Sequence, residues 1–143
     1  MTEVLRVDTA DGWSLGVRVH PAPVGAPPRA VVVLLHAMMA DARSLDRPSG
    51  GGLGSVLAER GFEVWRADLR GHGHSGPTPR DGGRWTYDDL VRGDLPALVA
   101  AAKRRGVPVV AVGHSLGAHV SAAAVADGVP IDALVLLAGN VWM

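Results

Sequence analysis

The stretch Val109-Val110-Ala111-Val112-Gly113-His114-Ser115-Leu116-Gly117-Ala118-His119 decides the fold. It closes a predicted strand over Val107–Val112, apolar and without alternation, as suits a strand buried on both faces. An alanine-rich helical run, Leu116–Ala126, follows almost at once. Strand and helix meet at Ser115 with no loop between them. So abrupt a turn holds its apex in a strained backbone conformation. It also crowds the residues two before and two after the apex, and both are glycine, Gly113 and Gly117.

Three further apolar runs read as strands: Ala30–Leu35 (AVVVLL), Phe62–Ala67 (FEVWRA) and Ala133–Ala138 (ALVLLA). Pro108 stands at the start of its strand, where a missing donor is tolerated. Upstream, Val4–Asp8 and Ser14–His20 alternate apolar and polar residues around Asp11-Gly12, which predicts a hairpin. Pro21–Pro28 (PAPVGAPP) reads as an extended connector.

Helical segments separate the strands. Leu53–Arg60 closes on Gly61, a C′ residue. Thr86–Arg105 sets Tyr87, Leu90, Val91, Leu95, Leu98 and Val99 on one face, and Thr86 with Asp89 forms a capping box. Pro96 inside this segment predicts either a kink or two helices with Asp94 capping the second. Arg104 and Arg105 suit its C-terminal end, with Gly106 as its cap. The order predicts an α/β fold: a mostly parallel sheet of about six strands, entered through a hairpin, with helices on both faces.

The 143 residues fit one domain, and 48% hydrophobic content is enough for a core. Zero formal net charge, with both signs interspersed, argues against a nucleic-acid partner. The absence of cysteine excludes a disulfide scaffold, a thiolate zinc site and a cysteine nucleophile. No signal-peptide pattern opens the chain, and the longest apolar run, Ala30–Leu35, is far too short for a membrane span. A cytoplasmic location is the expectation.

Gly113-His114-Ser115-Leu116-Gly117 spells G-x-S-x-G between a strand and a helix, the context that motif requires. Ser115 would project from the carboxyl edge of the sheet, where ligands bind in open α/β sheets. The helix behind it would supply free N–H groups. A serine here could simply cap the helix. The flanking glycines and the preceding strand favour a nucleophile.

Two more segments join this motif: Leu34–Arg47 (LLHAMMADARSLDR) and Ala67–Pro77 (ADLRGHGHSGP), the latter spelling D-x-R-G-x-G-x-S. Together the three resemble the N-terminal part of an α/β-hydrolase-fold serine hydrolase of the esterase, lipase or serine-aminopeptidase kind. The resemblance extends over essentially the whole chain. It implies Ser115 as nucleophile and the backbone N–H groups of Met38 and Leu116 as the oxyanion hole. It implies that His36 supports the oxyanion loop, where Ala37 replaces the usual glycine, and that Gly113, His114 and Gly117 frame the pocket. Strand alternation turns His114 away from Ser115, toward a packing role. His119, one turn into the helix, is placed on a helix face.

Other motifs carry less. Gly71-His72-Gly73-His74-Ser75-Gly76 matches G-x-G-x-x-G, but Pro77 and Pro79 follow in place of the helix a dinucleotide site needs. His72 and His74 are two ligands where a metal site needs three or four. Gly50-Gly51-Gly52 lacks the Lys-Ser/Thr of a phosphate loop. No cofactor and no metal are expected.

A serine hydroxyl needs a base. In the resembling family the acid and the histidine follow later strands, whereas Gly139-Asn140-Val141-Trp142-Met143 contains neither. Asp132 precedes the last strand, at the far edge of the sheet. That strand, ALVLLA, would also be an apolar edge with nothing to blunt it. Residues 1–143 therefore read as the N-terminal portion of a single α/β-hydrolase domain, completed by a missing C-terminal half or a second chain. The expected function is hydrolysis of an ester, thioester or amide of a small acyl substrate through an acyl-serine. The alternative is a non-catalytic or partner-dependent remnant acting as a binding module. Met38, Met39, Trp85 and Leu116 suggest either an apolar acyl pocket or ordinary packing, and Trp142-Met143 could begin a lid.

Overall fold

A computed structural model describes residues 3–139. One sheet of six strands runs in the order β1-β2-β4-β3-β5-β6. Its strands are β1 (Glu3–Asp8), β2 (Ser14–His20), β3 (Val31–Leu35), β4 (Glu63–Ala67), β5 (Val109–His114) and β6 (Ala133–Leu137). β1, β2 and β4 pair antiparallel in succession, while β4, β3, β5 and β6 are parallel neighbours. β5 starts two residues later than its apolar run, because Pro108 offers only its carbonyl, which accepts from Val31 N–H.

The central strands are unalternating because both faces are covered. On β3, Val31, Val33 and Leu35 enter the main core with Leu95, Leu98 and Val120. Val32 and Leu34 enter a smaller core on the other face with Leu45, Ala58 and Val64. Helix α1 (Leu53–Glu59) lies on the smaller side. The main core is covered by α3 (Leu95–Lys103), α4 (Leu116–Ala126) and the π turn Leu90–Asp94 that follows the short helix α2 (Tyr87–Asp89). Among the described residues no helix is long and apolar enough to cross a membrane. At the far side of the sheet β6 is an edge, with Val135, Leu136 and Leu137 all exposed.

The predicted helix from Thr86 departs from expectation in its middle. Thr86 does make the capping box with Asp89. Leu90–Asp94 then widens into a π turn, and α3 begins with Pro96 in its first turn. The wide turn accommodates the ring without a carbonyl clash. Asp94 does not cap α3, because its carboxylate is taken by Arg70.

Candidate active site

Parallel sheets bind ligands at their carboxyl edge, in the crevice where successive connections leave toward opposite faces. Here that crevice lies between β3 and β5. The chain leaves β3 toward α1 on one face and leaves β5 toward α4 on the other. Leu35 pairs with Gly113, so the two loops emerge side by side.

Ser115 stands at the apex. Its backbone has φ 51° and ψ −109°, a left-handed region that costs a non-glycine residue about 1–3 kcal/mol. Its hydroxyl makes no capping bond to α4, so the N-cap reading does not hold. Its carbonyl accepts from Ala118 and His119 N–H, and its own N–H donates to the Leu137 carbonyl at 2.9 Å. The apex is thus tied to the helix behind it and to the edge strand beside it.

Both flanking glycines are sterically required. A β-carbon on Gly113 would lie 2.2 Å from the Gly117 carbonyl oxygen. One on Gly117 would meet the backbone of Leu35. Strand, helix and β3 can approach this closely only without side chains at those two places.

The loop after β3 carries Ala37 and Met38 in a turn closed by Ala40 N–H on the Ala37 carbonyl. Met38 and Met39 are exposed, and Met39 has φ 59°. His36 is fully buried beneath this turn. Its Nδ1–H donates to the Ala37 carbonyl at 2.8 Å, and its Nε2 accepts from Leu69 N–H at 3.0 Å. Burial pushes the imidazole below its usual pKa, so it is neutral. With both nitrogens engaged by backbone, His36 supports the loop and is not free to serve as a base.

The segment Asp68–Ser75 builds the wall behind that loop, and its individual residues carry roles the motif spelling alone did not assign. Asp68 is fully buried, and its carboxylate accepts from Ala42 N–H at 2.7 Å and His74 N–H at 2.9 Å. Gly73 is required because a β-carbon there would touch that carboxylate. The Ser75 hydroxyl donates to the Asp68 carbonyl and accepts from Gly16 N–H, fastening the wall to β2. Arg70 is 1% exposed and joins three segments. Its Nε donates to Asp94 at 2.7 Å, and its Nη atoms donate to Asp11 in the hairpin turn. That guanidinium, helped by the Thr9 hydroxyl, holds the Asp11 carboxyl down to about 2.

Some of the expected assembly is not found. His114 was expected to be packed but is exposed, on a cleft of about 680 Å³ with Leu53, Val56 and Leu137. Met38, Met39, Trp85 and Leu116 do not form one pocket. Trp85 and Leu116 pack against the main core, with the Trp85 ring edge-on to Trp13 and His72. Met39 instead lines a cleft of about 630 Å³ with Ala40, His72 and Thr78. The glycine-rich segment 71–76 leads into a 3-10 turn, Pro79–Asp81, and His72 stacks beside His36. Asp132 is bound at the start of β5 by Val109 N–H, at the opposite end from Ser115. Trp142 and Met143 lie outside the described residues.

A doubly covered, mainly parallel sheet with a strained serine between strand and helix defines a part of the α/β-hydrolase fold. Residues 26–143 match the family model described as serine aminopeptidase, S33, and the chain belongs to that family. It is 31% identical over 140 residues to triacylglycerol lipase 2 of Arabidopsis thaliana, covering 88% of this chain and 34% of that protein. It is 32% identical over 134 residues to human lipase member N, covering 83% of this chain and 33% of the relative. Among solved structures it is similar to the esterase RhEst1 of Rhodococcus sp. ECU1013. That match has a TM-score of 0.68 and 26% identity, and covers 95% of this chain and 46% of that one. The chain thus spans about a third of the length of these curated relatives.

Proposed function

We propose that Ser115 is the nucleophile of a serine hydrolase acting on carboxylic esters, with thioesters and amides as chemically related substrates. The observation that carries this reading is the Ser115 backbone, held in a strained conformation by two glycines that nothing larger could replace. Strain of this kind persists where the surrounding structure imposes it, typically at a reacting group. The relatives, lipases and an esterase, support an ester as substrate.

In this reading the hydroxyl oxygen attacks the acyl carbon. The backbone N–H groups of Met38 and Leu116 receive the developing oxyanion, and collapse of the tetrahedral intermediate expels the alcohol. Water then attacks the acyl-serine and releases the acid. The proton taken from Ser115 needs a base, and His36 is already committed to backbone at both nitrogens. The acid and base are proposed to come from polypeptide that continues the sheet beyond β6, and residues 1–143 to be the N-terminal portion of that single domain. The lengths of the relatives and the exposed apolar edge support this.

A fluorophosphonate probe tests the reading. Peptide mapping is expected to find the label on Ser115 once polypeptide bearing an Asp and a His is supplied, and Ser115→Ala is expected to abolish it. The engagement of His36 also favours a second reading, an acyl-binding module without turnover. That module would bind an ester analogue and remain unlabelled under both conditions.

A further inference from the structure

On the face of the sheet away from Trp65 and Leu95, a cleft of about 460 Å³ opens between β2, β4 and the 3-10 turn Ala42–Leu45. Arg18, Arg43, Arg47 and Arg66 line it, with His20 and a single acid, Asp46. Arg18 and Arg66 are directly opposed partners in the antiparallel pairing of β2 with β4. Like charges placed so destabilise a sheet, and here Arg66 is 8% exposed and the Arg18 side chain 16%.

The counter-charges resolve this opposition in part: Asp68 pairs with Arg18, and the charges of Asp46 and Asp68 both act on Arg66. Asp68 reaches Arg18 only at 3.4 Å while accepting two backbone N–H groups. Asp41 is occupied by Arg43. Asp46 lies between α1 and His20: Ser55 Oγ donates to its Oδ2, which also stands 3.5 Å from His20 Nε2, and its buried Oδ1 has no hydrogen-bond partner among the described residues. Arg66 spends Nε on His20 Nε2 and Nη1 on the Ala42 carbonyl, neither of them an anion. Accepting from Arg66 keeps His20 uncharged, and burial pushes its pKa down as well. Gly54 of α1 leaves room for the Arg66 side chain, since a β-carbon there would stand 3.1 Å from Arg66 Cδ.

We propose that this cleft is an oxyanion-binding site, separate from Ser115, that takes a phosphate or carboxylate group between Arg18, Arg66 and Arg47. Against the four arginines stand Asp41, Asp46 and Asp68, and the anion supplies the charge still missing from that set. Arg18 presents a guanidinium from the sheet, Arg66 adds its remaining Nη2, and Arg47 approaches from the loop above, donors that match such oxygens.

The test is a titration of the protein with inorganic phosphate, and separately with acetate, at ionic strength held constant with sodium chloride. Thermal unfolding and calorimetry are the readouts. A saturable rise in Tm is expected with at least one anion, and the anion that binds more tightly identifies the group as phosphoryl or carboxyl. Arg47→Ala, an exposed change that leaves the core intact, is expected to weaken binding about tenfold, the loss of one charge-assisted bond. Arg18→Thr is expected to abolish the response, but it also takes the ion-pair partner from the buried Asp68 carboxylate, so Arg47→Ala is the variant that separates binding from stability. An equal rise in Tm with chloride alone, or the same affinity in Arg47→Ala as in the parent, would overturn the proposal.

Discussion

Gly117 sits so close to the end of β3 that a β-carbon on it would stand 2.5 Å from the Leu35 carbonyl oxygen. Alanine ordinarily stabilises a helix over glycine by roughly 1 kcal/mol. At this place the neighbour is backbone and cannot yield, so Gly117→Ala is expected to destabilise by about 1–3 kcal/mol. Gly113→Ala should act in the same direction through the Gly117 carbonyl. Urea midpoints measured at an unchanged slope check both, and a gain in stability from either would contradict the packing described.

Ser115 itself offers a separation of strain from chemistry. Ser115→Ala removes the hydroxyl and keeps the left-handed backbone, whereas Ser115→Gly removes both hydroxyl and strain. Fluorophosphonate labelling should vanish in the two alike. The glycine variant should be more stable than the alanine variant by about 1 kcal/mol. Equal stabilities would mean that the backbone at φ 51° is not under strain.

Arg70 joins Asp11 and Asp94 from opposite sides, and Asp94 is fully buried. Arg70→Met would leave that carboxylate unpaired, at an expected cost of about 3–5 kcal/mol. Adding Asp94→Leu should recover a large part of the loss, since a buried pair replaced by apolar groups can be nearly neutral. A double-mutant cycle in urea gives the coupling directly. Additive effects would show that the pair does not tie the segment after β4 to the π turn.

Acid should weaken the fold in two windows. Burial holds the folded-state pKa of His36 below its ordinary 6.5, and that of His20 likewise. The unfolded chain therefore takes up these protons first, so stability is complete above about pH 6.5 and falls as pH drops below it. Asp11 has the opposite charge type: its pKa is lowered from 3.8 to about 2 by Arg70. Its contribution is present above about pH 4 and is lost as pH approaches 2. Thermal unfolding between pH 8 and 2 should show both declines, on any scale the rest of the titration permits. His36→Asn should shrink the first and leave the second.

Much of this was legible because it is local. Unalternating apolar runs placed the central strands, and Gly113 and Gly117 marked the apex. What escaped was long-range. Asp94 looked like a helix cap because nothing near it in sequence reveals Arg70, 24 positions away. The π turn followed from that same pairing together with Pro96. His114 was assigned to packing from alternation alone, which gives the face but not whether anything covers it. The opposition of Arg18 and Arg66 depends on the pairing of β2 with β4, and no local pattern encodes which strands become neighbours.

The bond from Ser115 N–H to the Leu137 carbonyl makes β6 a gauge for the apex. In the observed alignment Leu137 lies beside His114. Sliding β6 by one residue would exchange its two faces and offer the serine a neighbouring carbonyl, one pleat too high or too low. The register of β6 therefore also calibrates the height at which the hydroxyl stands above the sheet.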